Sequence, residues 1–372
     1  MKLKSGINKL ILTGLFTLVG AIGLANAAEV KQDKSEEKNA FDANEMVMGH
    51  ISDAHEWHIM GPEHGGVSLY LPVILWDGGL KVFSSSELYH GEEKEYTDAA
   101  GKNVEYVVNL EKGYAIAGEK IYKLNELGEV DLKDGQIVSP KPFDFSITKN
   151  VLSLFFSAFL ILIIMFAVKR TYKNRGVSAP RGIASFIEPL IIFVADEIAK
   201  ESIGEKKYKR YVPYLLTIFF FIWINSLLGL IPIIPGGANL IGSISVTFTL
   251  AIFTLILTVF SGNKNYWGHI FATPGVPKIL LILMIPIEIV GIFTKPFALM
   301  IRLFANMTAG HIIVLALIAI IFVNQNVGWS ALSVPMALFI SILELLVGLL
   351  QAYLFAMLSA LFIGMAVEEA HH

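Results

Sequence analysis

Hydrophobic and polar positions divide this chain into two regimes. Residues 28–145 mix them over short runs, whereas from Val151 onward long apolar stretches are separated by brief charged loops. The first regime reads as strands. Residues 67–76 end at Asp77, Gly78 and Gly79 and are followed by residues 80–83, a strand–turn–strand pattern. Residues 104–110, 113–117 and 120–124 continue it with glycine punctuation. Residues 31–44 are charged and poor in apolar side chains, the composition of a flexible linker.

The second regime reads as membrane helices. Residues 151–168 are long enough to cross a bilayer, and residues 213–231 and 240–260 give two further spans. Between the first two, Ile183, Phe186, Ile187, Leu190, Ile191, Val194 and Ile198 recur at helical spacing. They define an amphipathic helix lying on the membrane surface or against a partner. Residues 261–278 form a polar loop. Residues 279–323 and 332–367 run without a convincing polar turn. At 1.5 Å per residue they would be about 67 Å and about 53 Å long, against a hydrocarbon core of about 30 Å. Splitting the first near Lys295 would export a lysine. Two long tilted helices joined around residues 324–328 satisfy the charges more simply, with Pro286 and Pro296 bending the first. The expected fold is thus a mainly α polytopic membrane protein with five membrane segments, plus a small β-rich exported domain.

Composition sharpens this picture. Over 372 residues 54% are hydrophobic and 16% charged, and the mean hydropathy is +0.61, values that exclude an ordinary soluble domain. Cysteine is absent, which removes disulfides and thiolate metal sites. Lys2, Lys4 and Lys9, the apolar residues 10–24 and the Ala25-Asn26-Ala27 cleavage pattern mark residues 1–27 as a signal peptide, the competing reading being an uncleaved helix. Residues 28–145 would then be periplasmic and residues 146–372 membrane-embedded, in the inner membrane of a bacterium. Lys169, Arg170, Lys173 and Arg175, with Lys206, Lys207, Lys209 and Arg210, place the loops they occupy in the cytoplasm, in agreement with an exported N-terminal domain. Parity puts the C-terminus there as well.

Candidate chemistry lies where charge interrupts apolar sequence. Arg302 is flanked by apolar residues on both sides, and an arginine at that depth costs about 2.5–3.5 kcal/mol on the insertion scale. Unless it snorkels from a helix end, it faces protein or water and serves a function. The other polar groups in the two long segments include Glu288, Lys295, Asn306, His311, Glu344 and Gln351. Intramembrane chains of carboxylate, imidazole and amide mark proton or ion relays. Arginine itself does not release its proton, so Arg302 can act only as a fixed charge that a mobile carboxylate on another protein would meet and deprotonate beside. Ala305, Ala309 and Gly310 allow a partner helix to approach closely. Asn225, alone in its span, is open to two readings: a helix–helix hydrogen bond or a channel lining. In the exported region His50, His55, His58 and His64 lie close together, which makes a metal site conceivable. The spacing of His55 and His58 is not that of a zinc protease, and packing histidines fit as well.

Residues 333–335 and 351–355, with Lys295-Pro296 and Arg302-Leu-Phe-x-Asn306-Met-x-Ala-Gly310, resemble subunit a of F-type ATP synthases, over about residues 146–372. The resemblance implies a non-catalytic stator subunit, without cofactor, that forms two proton half-channels against a ring of c subunits. Its further partners would be the b subunits of the peripheral stalk, the F1 sector and membrane lipid, with no nucleic acid. It makes Arg302 the stator arginine, with Asn306 and Gln351 as polar neighbours. The family commonly carries a glutamate nine residues after the arginine and a histidine seven before the glutamine. Here those positions hold His311 and Glu344, the same residue types exchanged. Glu288 is the candidate for the exit path. The rival readings are a secondary transporter or ion channel with an intramembrane proton relay, which would show internal repeats, and a plain membrane anchor.

Overall fold

A computed structural model of the protein describes residues 43–60, 67–99, 101, 103–175, 182–231, 236–271 and 277–369. Residues 1–27, expected as a signal peptide, most of the charged segment 31–44 and His64 lie outside them.

The chain within these residues begins with helix α1 (Ala43–Ile51) and a set of antiparallel strands. β1 (Glu56–Met60) pairs with β2 (Val67–Tyr70); β3 (Pro72–Trp76) pairs with β4 (Leu80–Ser84) on one side and with β11 (Phe143–Asp144) on the other. The run expected as one strand over 67–76 is therefore two. Pro72 has no N–H to continue a ladder, and Leu71 turns its own N–H to the His55 carbonyl and the Ser85 hydroxyl. A short helix, α2 (Ser86–Tyr89), leads into a four-stranded meander of β5 (Glu92–Thr97), β6 (Asn103–Asn109), β7 (Tyr114–Ala117) and β8 (Lys120–Lys123). The small hairpin β9 (Leu132–Lys133) and β10 (Gln136–Ile137) follows. Val73, Leu75, Leu88, Val107, Tyr114, Ile116 and Ile121 bury one another between the meander and the β3 sheet.

Five helices in the remainder are apolar and long enough to span a membrane. They are α3 (Lys149–Arg175), α5 (Tyr208–Leu230), α6 (Ile244–Ser261), α8 (Lys278–Val323) and α9 (Ser330–Val367). The last two are unbroken over 46 and 38 residues, as the absence of a polar turn requires. The amphipathic segment is α4 (Ile183–Ile192), continued by a wider π-helical stretch (Phe193–Lys200) and a final turn (Glu201–Ile203). It buries Ile187, Val194 and Ile198 against α5 and α9 and leaves Ile183 and Phe186 exposed. The loop expected over 261–278 contains a further short helix, α7 (Lys264–Phe271).

Polar side chains lock this bundle. Tyr214 on α5, Thr254 on α6 and Ser359 on α9 form a buried chain of hydroxyls, with O···O distances of 2.8 and 3.3 Å. The last carbonyl of α9, on Val367, accepts from Lys207 Nζ at 2.9 Å and Asn263 Nδ2 at 2.8 Å, so two loops cap that C-terminus, one with the cation its dipole favours.

The β region is tied to the helices as firmly. Asp53 accepts from the Asn150 N–H at 3.0 Å and from the Thr148 hydroxyl at 3.0 Å, capping the N-terminus of α3 from another part of the chain. Lys149 Nζ donates to the His50 carbonyl, and α1 packs on α8. Buried His55 donates from Nε2 to Asp144 at 3.0 Å. Burial acts against the Asp144 charge, but hydrogen bonds from His55 and Ser146 outweigh it and hold the carboxyl below its ordinary 3.8. Its contribution is thus complete above that value and is lost as pH falls through the lowered one. Asp144→Asn should weaken the β region at neutral pH by about 1 kcal/mol, allowing for a carboxylate one-third open to solvent. The difference from wild type should shrink below pH 3.8, as read by hydrogen exchange of β3 and β11 in the full chain.

Candidate proton-relay site

The polar residues of α8 sort onto two faces. Nine residues separate Arg302 from His311, and at 100° per residue they point about 180° apart. Arg302, Ala305, Asn306 and Ala309 are exposed along one stripe. Leu303 and Met307 are buried, and His311 turns inward with them. An exposed arginine on a helix of this hydropathy is a charge presented to something outside the chain.

On the inner face His311 meets Glu344 of α9. Nδ1 lies 3.3 Å from Glu344 Oε1, and the two side chains are 12% and 9% exposed. The ring has further partners: Nδ1 lies 3.1 Å from the Met307 carbonyl, and Nε2 lies 3.3 Å from the Gly229 carbonyl at the end of α5. A neutral ring donates to one of these oxygens and a doubly protonated ring to both. Glu344 Oε1 has a charge partner but no hydrogen-bond donor, because Nδ1 is directed to the backbone.

Glycine makes the contact possible. A Cβ at Gly310 would overlap the Glu344 carboxylate, and one at Gly229 would crowd His311 Nε2. A Cβ at Gly348 would press on Ser226 of α5, whose hydroxyl also reaches Met307 Sδ at 3.8 Å. Both His311 and Glu344 line a cavity of about 1090 Å³ that extends among residues of the β region.

The other candidates are placed as follows. Gln351 is buried two turns along α9 from Glu344. Asn306 is exposed one turn from Arg302. Glu288 is half-buried, fourteen residues before Arg302 and so about 21 Å along the helix, and is not in contact with it. Its charge acts on Tyr266 of α7, whose hydroxyl is pushed up first by burial and then by Glu288. Asn225 is buried and donates to the Phe221 carbonyl of its own helix at 2.8 Å, with Oδ1 unpartnered. His50, His55 and His58 bond to Met46, Asp144 and Ser68 respectively. Among the described residues no three metal-binding side chains converge. The cavity and the role of Gly310 in seating Glu344 were missed by sequence reasoning; the adjacency of Gly310 to His311 was the available signal.

Five membrane-length helices with an outward arginine and a buried imidazole–carboxylate pair define a polytopic membrane protein built around intramembrane ionisable groups. The sequence model of the ATP synthase A chain family matches residues 151–364. A second match, to a domain of unknown function (DUF8433), covers residues 46–145. ATP synthase subunit a 2 of Chlorobaculum tepidum is 46% identical over 262 residues, 68% of this chain and 72% of its own length. ATP synthase subunit a 2 of Prosthecochloris aestuarii is 40% identical over 318 residues, 82% of this chain and 93% of its own. The chain belongs to the ATP synthase subunit a family, the non-catalytic stator subunits that take part in proton translocation within F-type ATP synthases. It is a multi-pass membrane protein of that complex, which also holds the c-ring, and the transporter or channel alternative is not favoured.

Gly310→Ala should displace the Glu344 carboxylate and lower proton translocation at least tenfold, with assembly of the complex intact. ATP-driven acidification of inverted vesicles, normalised to subunit content, measures this.

Proposed function

We propose that this subunit supplies both proton half-channels at the surface of the c-ring, with Arg302 as the stationary charge between them. Protons enter from the periplasm, pass the His311–Glu344 pair and load onto a c-subunit carboxylate. The ring carries each carboxylate through lipid for nearly a full turn. It deprotonates again beside Arg302, and the proton leaves past Glu288 towards the cytoplasm. The contact that carries this reading is the buried His311–Glu344 pair, about two and a half helical turns from an exposed arginine and on the opposite face of α8.

Each group has a task fitted to its chemistry. Arg302 keeps its proton, so it attracts an ionised ring carboxylate and repels a proton hopping directly between the half-channels. Asn306 and Gln351 orient the arginine and the arriving carboxylate by hydrogen bonds. Exchange of the histidine and the glutamate between helices leaves a titratable pair in contact, which is all that a relay requires. Glu288 lies towards the end of α8 at which Tyr266 and the lysine-rich loops gather, in keeping with a cytoplasmic outlet. Asn225 bonds to its own backbone and is left out of the path.

The same reading supplies topology and partners. Basic residues after α3 and before α5 support a cytoplasmic side for those loops and for the C-terminus, with residues 28–145 periplasmic and the whole in the bacterial inner membrane. The b subunits of the peripheral stalk hold this chain still, and the F1 sector receives the torque. Each charge crossing 100 mV contributes about 2.3 kcal/mol, so several protons drive each ATP.

Arg302→Ala should abolish ATP-driven acidification of inverted vesicles while F1 continues to hydrolyse ATP. Normal pumping by this variant would refute the assignment of the stator charge.

A further inference from the structure

The β region has no part in the family's shared core, and its match is to a domain without known function. Its position suggests one. The cavity that exposes Glu344 and His311 has membrane walls from Leu315, Ala337 and Ser341 on α8 and α9. Its other walls come from β-region side chains, among them His58, Glu93, Glu105 and Glu119. At about 30 Å³ per molecule its 1090 Å³ has room for on the order of thirty waters, and the carboxylates and imidazoles along it give them partners.

We propose that the exported domain is the outer part of the proton-uptake path: it encloses a water-filled vestibule that gathers protons and delivers them to the His311–Glu344 pair. The inference rests on the reading of that pair as the uptake relay. Three observations carry it. The cavity is continuous from strands β5 and β6 to Glu344. Both members of the pair, His311 and Glu344, line that cavity, 3.3 Å from one another. The roof is fixed over the helices by the Asp53 cap on α3, the Lys149–His50 bond and the packing of α1 on α8.

The charges on the wall fit this task. Carboxylates focus cations from bulk and raise their local concentration ten- to a thousandfold in a low-dielectric cleft. Glu93 and Glu105 are exposed on adjacent strands, and Glu119 accepts from the Tyr89 hydroxyl. Among the described lining residues Lys149 is a cation, and it faces Glu119, Asp53 and Glu56.

The absence of native cysteine allows a direct test in the assembled ATP synthase. Val104→Cys places a thiol on the β-region wall, Ser341→Cys on the membrane wall and Lys133→Cys on a strand away from the cavity. A bulky, membrane-impermeant maleimide is applied from the periplasmic face, and proton-driven ATP synthesis is measured. Modification of Val104→Cys should lower synthesis several-fold and shield Ser341→Cys, engineered together with it, from a small methanethiosulfonate. Modification of Lys133→Cys should change nothing. In a second arm Glu93→Gln/Glu105→Gln should slow synthesis in weakly buffered medium, and added imidazole should restore it. Complete labelling of Val104→Cys with undiminished synthesis would overturn the proposal. So would a Glu93→Gln/Glu105→Gln variant with unchanged rates. Arg302→Ala, run in parallel, separates the two levels. Loss of coupling there with no vestibule effect removes this inference alone, whereas retained coupling removes the functional reading beneath it.

Discussion

Everything in this protein's membrane half is arranged around one contact, that of His311 with Glu344 between the two long helices. A carboxylate and an imidazole buried together are costly unless each finds a counter-charge or a hydrogen bond. The chain meets that cost with backbone carbonyls from α5 and α8 around the ring, and with a glycine that lets the carboxylate lie against α8. The contact in turn requires that α8 and α9 run unbroken past each other, because a turn in either would move one partner out of reach. The length of these helices, far beyond the thickness of a bilayer, follows from what they hold.

The second constraint is angular. A helix that presents Arg302 outward must present His311 inward nine residues later, so one element carries the fixed charge on its exposed side and the titratable group on its protein-facing side. The two groups therefore share no single face of α8, a separation that follows from helical periodicity. The small residues Ala305 and Ala309, on the same stripe as Arg302, leave that face shallow enough for another helix to come close.

Much of this was legible in sequence. Apolar runs of more than thirty residues with no polar turn, in which a split would export Lys295, favour long tilted helices, so α8 and α9 emerged with nearly their full bounds. Strands β6, β7 and β8 were legible because valines and tyrosines alternate between glycines. β5, with the sequence Glu-Glu-Lys-Glu-Tyr-Thr, was not, since its faces are both polar and only pairing with β6 makes it a strand. Strand β1 and helix α1 escaped for a similar reason: short, mixed segments gain their conformation from contacts made elsewhere. His55 could be marked as unusual, but its partner Asp144 lies 89 residues away and no local pattern announces it. The cavity is the extreme case, a property of how two halves of the chain meet.

The exchanged order of histidine and glutamate offers the sharpest test of the view that contact, and not position, makes the relay. The measurement is passive proton conduction through F1-stripped membranes carrying His311→Glu, Glu344→His or both. Each single variant places two like groups together and should lose most conduction, whereas the double variant restores an opposite pair and should recover a large part of it. Additive losses, with the double variant the worst of the three, would contradict the account.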